Sequence, residues 1–174
     1  DYDNDGWEDI YVARSNDPNL LYHNNGDGTF TEKGFLLGVG YVGTSIVATW
    51  GDVDNDGYDD IIVGAHSADV DATTANFGAI YVFRGNSTGV EASSTFSTTG
   101  QNEDDNFGWS VDIDGSTLVV GAPGDDDYGS GSGSAYVFYR GPGGWVFHQK
   151  IFAGDAAADD SFGIAVAISG EFIV

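Results

Sequence analysis

The 174-residue chain contains no cysteine, so disulfide bonds and thiolate metal sites are both excluded. Basic residues are scarce as well. Five lysines and arginines stand against 28 aspartates and glutamates, which gives a formal charge of −23 at pH 7. Nucleic acids and anionic membrane surfaces bind basic proteins, so this charge argues against both as partners and makes cations the natural counterpart.

Long apolar runs are also lacking. No stretch approaches the roughly 20 apolar residues that a membrane-spanning helix needs, so no membrane insertion is predicted. The chain begins at Asp1 without an initiator methionine or a signal peptide, and it stops within the apolar segment Phe172–Val174. We interpret it as part of a longer polypeptide. A hydrophobic content of 41% with 14% aromatic residues predicts a folded core.

The sequence repeats itself at intervals of about 55 residues. DYDNDGWEDIYV, which begins at Asp1, returns as DVDNDGYDDIIV from Asp52, and GAIYVFRG from Gly78 returns as GSAYVFYRG from Gly133. DDNFGWSVDIDG likewise returns as DDSFGIAVAISG. The chain therefore contains about three copies of one structural unit.

Within each copy the apolar residues alternate with a period of two, which predicts β-strands. The predicted strands of the best-preserved copies are Phe107–Ile113, Thr117–Gly121, Ser134–Arg140, Trp145–Ile151 and, in the next copy, Phe162–Ile168. Helical patterns are nearly absent. Four short antiparallel strands per repeat predict an all-β fold of β-propeller blades. The predicted organisation is a single propeller segment, with part of a blade at 1–43, blades at 44–100 and 101–155, and the start of a further blade at 156–174.

FG followed by an alternating strand, then VVGAP, then GSAYVF, is similar to the FG-GAP repeat of integrin α-subunit propellers and their bacterial relatives. The segment NLLYHNNGDGTFTE after DYDNDGWEDIYV resembles the related bacterial VCBS-type repeat. The two resemblances cover essentially the whole chain. They imply a β-propeller, but they imply no activity.

Two acidic loops stand out within the repeats. Carboxylates at alternate positions of a tight loop suit Ca²⁺, which takes about 6 to 8 oxygen ligands in flexible geometry. In both loops the predicted ligands are the carboxylates at positions 1, 3, 5 and 9 and the backbone carbonyl at position 7. They are Asp52, Asp54, Asp56, the Tyr58 carbonyl and Asp60 in one loop, and Asp1, Asp3, Asp5, the Trp7 carbonyl and Asp9 in the other.

An EF-hand begins in the same way, but it requires a glutamate at position 12 and flanking helices. Position 12 here is Val12 or Val63, within an apolar strand-like run, so each loop is expected to end at position 9, as in calcium-binding FG-GAP blades. The corresponding segments of the later repeats, Asp112–Ser116 and Ile168–Glu171, are predicted to be hairpin turns without metal. The run Asp125–Asp127 is predicted to be a solvated acidic loop.

No catalytic group is predicted. A GxGxxG match begins at Gly38, but a strand-like segment follows it instead of a helix, and a GxSxG match begins at Gly85 between two predicted strands. The histidines at positions 23, 66 and 148 fall in different repeats, so ordinary strand or loop roles are expected for them.

These patterns favour a non-catalytic, calcium-binding β-propeller module of a secreted or cell-surface protein, with a role in adhesion, recognition or extracellular structural assembly. Its partner would be an extracellular protein or glycan, or copies of itself, which could complete the open sheet edges as a homo-oligomer or filament. The alternative is an accessory propeller domain of a secreted enzyme, a hydrolase or lyase, whose catalytic residues lie outside this chain.

Overall fold

The computed structural model describes residues 1–15, 17–39, 47–68, 77–97 and 102–174. Within these ranges the chain forms thirteen strands in four antiparallel sheets and one four-residue helix, α1 (Gly34–Leu37). This confirms the predicted all-β fold. In the same ranges no helix has the length and apolar character to cross a membrane.

Two sheets have the four-stranded form expected of complete propeller blades. In each, every strand pairs with its neighbour in sequence. The second sheet contains β4 (Val47–Gly51), β5 (Asp60–Ala65), β6 (Ala79–Asn86) and β7 (Gly89–Phe96). The third contains β8 (Ser110–Asp114), β9 (Thr117–Ala122), β10 (Ser134–Gly141) and β11 (Gly144–Ile151). Their third strands also share an irregularity, because the register shifts at Val82/Phe83 in one and at Val137/Phe138 in the other.

The other two sheets are smaller. The first contains β1 (Ile10–Val12), β2 (Leu20–Asn24) and β3 (Phe30–Glu32), and the fourth is a hairpin of β12 (Ile168–Ser169) and β13 (Phe172–Ile173). The sheets are consistent with propeller blades, and the described residues do not close a ring. The predicted blade boundaries at 43/44 and 100/101 lie outside the described residues.

The core lies between successive sheets. On β5, Ile62 is buried in a cluster shared with Phe107 and Tyr136 of the next repeat. Its neighbour Ile61 is buried on the opposite face, in a cluster with Leu21 of the first sheet. Because successive side chains of a strand point to opposite faces, one central strand supplies two cores. The second acidic loop is therefore attached to a strand that is packed on both faces.

The prediction of a strand over Phe107–Ile113 is wrong in its first half, because β8 begins only at Ser110. Gly108 has φ = 88°, a left-handed conformation that an extended strand cannot contain. The same holds for the predicted strand Phe162–Ile168, where Gly163 has φ = 84° and β12 is reduced to Ile168–Ser169. In both repeats the phenylalanine–glycine pair forms a turn, and the buried Phe107 anchors its turn in the core.

These turns sit directly against glycines of the preceding sheet. A Cβ atom on Gly121 would collide with the carbonyl oxygen of Gly163, and a Cβ on Gly64 would collide with that of Gly108. The hydroxyl of Ser110 also donates a hydrogen bond to the Gly163 carbonyl over 2.7 Å. Neighbouring sheets thus approach to backbone contact at Gly64 and Gly121, where a side chain would not fit.

Candidate functional site

The second acidic loop is folded by its own carboxylates. Asp52 accepts hydrogen bonds from the backbone N–H groups of Asp56 (3.1 Å) and Gly57 (3.0 Å), and Asp56 accepts one from that of Tyr58 (3.0 Å). Asn55 and Gly57 have φ angles of 60° and 92°, which permit the tight turn. Asparagine and glycine are the residues that adopt this conformation most readily, so the sequence dictates the shape of the loop.

The first loop repeats this arrangement. Asp1 accepts hydrogen bonds from the N–H groups of Asp5 (3.0 Å) and Gly6 (2.8 Å), and Asp5 accepts one from that of Trp7 (2.9 Å). The side-chain amide of Asn4 donates to the carbonyl of Gly57 over 3.0 Å. The two loops therefore share one conformation and lie side by side.

The carboxylate at position 9 ties each loop to its sheet. Asp60 is fully buried and accepts hydrogen bonds from the N–H groups of Val53 (2.8 Å) and Gly85 (2.9 Å). In the first loop Asp9 accepts equivalent bonds from Tyr2 (3.2 Å) and Asn24 (2.9 Å). Burial raises the pKa of Asp60 to about 6, although its two N–H donors oppose the rise.

The loops bring together some of the predicted ligands. Carboxylate oxygens of Asp52, Asp54 and Asp60 lie within 4.8 Å of one another, as do those of Asp1, Asp3 and Asp5. The carboxylate of Asp56 lies outside the first of these groups, and it accepts the hydrogen bond from the Tyr58 N–H.

One carboxylate oxygen in each loop is buried without a hydrogen bond from the described residues. Oδ1 of Asp3 and Oδ1 of Asp54 are buried, yet neither has a hydrogen-bond partner among the described residues. Burial, together with the charge of Asp5, raises the pKa of Asp3 above its ordinary value. A carboxylate oxygen withdrawn from water without a donor is costly, and a hard cation with oxygen ligands would satisfy it. The residues present therefore fit Ca²⁺. The carbonyls of Trp7 and Tyr58 remain predicted ligands.

Sequence reasoning missed two basic side chains beside these loops. The histidine His23 on β2 places Nδ1 3.3 Å from Asp9 Oδ1 and 3.6 Å from Asp3 Oδ2. Arg84 on β6 places Nε 3.2 Å from Asp54 Oδ2. His23 was expected to have an ordinary strand role, and only the strand pairing reveals that it faces the loop.

The corresponding segments of the later repeats are hairpin turns, as predicted. β8 and β9 pair as far as Asp114 and Thr117, and β12 and β13 pair at Ser169 and Phe172. Asp112 accepts a hydrogen bond from the Ile168 N–H over 2.8 Å. This carboxylate therefore connects two sheets through a backbone hydrogen bond.

The prediction of a solvated loop at Asp125–Asp127 is wrong for its first residue. Asp125 is 1% exposed and accepts hydrogen bonds from the hydroxyls of Ser134 (2.8 Å) and Tyr136 (3.1 Å), and it forms an ion pair with Lys150. Burial would raise the pKa of Asp125, but the bond from Lys150 and the Asp127 N–H hold it below its ordinary value. Burial would lower the pKa of Lys150, yet its bonds to the two aspartates raise it.

The weaker motif matches also have structural positions. The GxSxG match spans the turn between β6 and β7, while the GxGxxG match extends into residues 40–46, outside the described ranges. The His66 ring contacts Trp109 edge-on with ring centroids 4.8 Å apart, and the His148 ring packs at 4.5 Å from that of Tyr139. Both histidines thus have packing contacts with aromatic neighbours.

Comparison with known protein families agrees with this architecture. The FG-GAP repeat matches residues 96–138 and 145–174, and the FG-GAP-like repeat matches residues 1–63. The comparison with curated proteins gave no match. The matched segments include both phenylalanine–glycine turns, the contacted glycine Gly121 and both acidic loops. The chain belongs to the FG-GAP repeat family.

Proposed function

We propose that this chain is a non-catalytic, calcium-binding β-propeller module of a secreted or cell-surface protein, and that it acts in adhesion, recognition or extracellular structural assembly. One observation carries the proposal. Two loops of the same conformation each hold a buried carboxylate oxygen, on Asp3 and on Asp54, that has no hydrogen-bond donor in the described part of the chain. FG-GAP repeats are typical of extracellular proteins, where calcium at about millimolar concentration fills even sites with Kd of about 10⁻⁴ to 10⁻³ M.

The hydrogen bonds of the two loops indicate how calcium would be held in each. Asp60 and Asp9 fix each loop to its sheet, and the loop N–H groups fix the carboxylates at positions 1 and 5. The remaining oxygens converge around Asp54 in one loop and Asp3 in the other. A bound cation supplies positive charge among these carboxylates. The loops would then present a rigid surface to a partner, which we propose to be an extracellular protein or glycan, or further copies of the chain.

Thermal unfolding with calcium and with chelator tests the proposal. At about 10 mM calcium, a site with Kd near 10⁻⁴ M contributes about 2.7 kcal/mol to the free energy of unfolding. For a chain of this size, that corresponds to an increase in Tm of about 5–10 °C per site. Asp54→Asn should lose the part of this increase in Tm that comes from calcium binding in the second loop.

The matched control is Asp155→Asn, which removes one negative charge from an exposed position outside both loops. It should keep the full calcium response of the wild type. Equal Tm values with calcium and with chelator in the wild-type chain would overturn the proposal.

A further inference from the structure

His23 gives the first acidic loop a ring nitrogen that can bind a metal ion, whereas the described residues bring no histidine into the carboxylate group of the second loop. Nδ1 lies 3.3 Å from Asp9 Oδ1 and 3.6 Å from Asp3 Oδ2, and Nε2 lies 3.7 Å from Asp5 Oδ2. Nδ1 is buried and has no hydrogen-bond partner among the described residues. A ring nitrogen surrounded by carboxylates without a hydrogen bond of its own is positioned to share a ligand with them.

The second loop provides an internal comparison, because Arg84 occupies the position of His23. Tyr22 pairs with Ile10 on β1, Phe83 pairs with Ile61 on β5, and the basic residue comes next in each case. An arginine side chain has no lone pair to offer and stays charged, so Arg84 can only act as a counter-charge for Asp54. Neutral histidine is a metal ligand. One strand position thus gives the two loops different donor sets.

The distances between His23 and the carboxylates of the first loop suit a metal ion of borderline softness, such as Zn²⁺. Imidazole nitrogen favours zinc and its neighbours over calcium, whereas carboxylate oxygen accepts both kinds of ion. Two ligands at about 2.0–2.1 Å from a tetrahedral zinc lie about 3.3 Å apart, which is close to the separations of Nδ1 from its two carboxylate neighbours. A cavity of about 190 Å³ adjoins Asp3 and His23, and Tyr2 and Lys33 also line it. It provides an entry path and room for a water ligand.

We propose that Asp3, Asp9 and His23 form a zinc-binding site, so that zinc competes with calcium in the first loop and leaves the second loop to calcium. The competition arises because Asp3 belongs both to this group and to the oxygen-only group with Asp1 and Asp5. The inference rests on the proposed function, since it assumes that the acidic loops hold cations.

The test titrates Zn²⁺ into the full chain equilibrated with Ca²⁺ and measures bound calcium by equilibrium dialysis. In the wild type, zinc should release one of two bound calcium ions. In His23→Gln the zinc affinity should fall about tenfold or more, because a ligand is lost, while calcium binding stays unchanged. Arg84→Gln is the matched control at the same strand position of the second loop, and it should keep the zinc affinity of the wild type.

A measurement on the wild type alone guards against a folding defect in the variant. Histidine ¹⁵N NMR should show that Zn²⁺ shifts the Nδ1 resonance of His23 and leaves those of His66 and His148 in place. If the chain binds calcium but zinc releases none of it, or if His23→Gln binds zinc as tightly as the wild type, the inference is overturned and the proposed function stands. Absence of both zinc and calcium binding would overturn both.

Discussion

The contact between Gly121 and the turn at Gly163 predicts a large destabilisation for Gly121→Ala. The added Cβ would lie 2.9 Å from the carbonyl carbon of Gly163 and still closer to its oxygen, whereas ordinary Cβ contacts begin at 3.4 Å. The obstacle is backbone and cannot rotate away, so the third and fourth sheets have to separate. Overpacking costs about 1–3 kcal/mol, and this site should reach the upper end, about 3 kcal/mol. The corresponding decrease in Tm is about 6–12 °C.

Urea unfolding followed by tryptophan fluorescence measures the effect. Gly154→Ala is the matched control, since a Cβ there meets no atom of the described residues within 4 Å and its φ lies outside the left-handed region. The control should unfold within about 1 kcal/mol of the wild type, on the stabilising side. Equal free energies of unfolding for Gly121→Ala and Gly154→Ala would refute the idea that backbone contact between sheets explains the glycines of the repeat.

Two further predictions concern the buried charges of the third repeat. Lys150→Met should lower the free energy of unfolding by about 3 kcal/mol, because it leaves the Asp125 carboxylate buried without its cation. Chemical denaturation measures this change, and an unchanged free energy of unfolding would contradict a stabilising role of the ion pair. Burial raises the pKa of Asp105 to about 6, above its ordinary value of 3.8. Between about pH 4 and 6 the folded state therefore binds more protons than the unfolded state, and the stability that this group contributes is lost as the pH rises through that interval. Asp105→Asn should therefore gain stability relative to the wild type across that interval, in denaturation curves measured at several pH values, and a relative loss would mean that the pKa is lowered instead.

Much of the fold follows from the sequence. Alternation and glycine-rich turns placed β9, β10 and β11 within one residue of their observed ends. The failure at Phe107 and Gly108 has a clear cause. A turn that projects one phenylalanine into the core keeps the same apolar alternation as a strand, so the pattern alone cannot distinguish them, whereas the left-handed φ of the glycine can.

The candidate site was predictable only in part. The aspartate spacing identified both loops, because the residues of each loop are adjacent in sequence. The spacing could not identify the basic residues beside the loops. The connections after β1 and β5 differ in length, so His23 and Arg84 lie at different sequence distances from their loops. Only the pairing of Tyr22 and Phe83 with the preceding strands shows that they are equivalent. Asp125 was misread for a similar reason, since its partner Lys150 lies on a distant strand.

The number of calcium ions bound per chain tests the central claim most directly. Equilibrium dialysis of the full chain against radioactive calcium at about millimolar free concentration should give two bound ions per chain, and the double variant Asp3→Asn/Asp54→Asn should bind none. A wild-type chain that retains its fold and binds no calcium under these conditions would contradict the account.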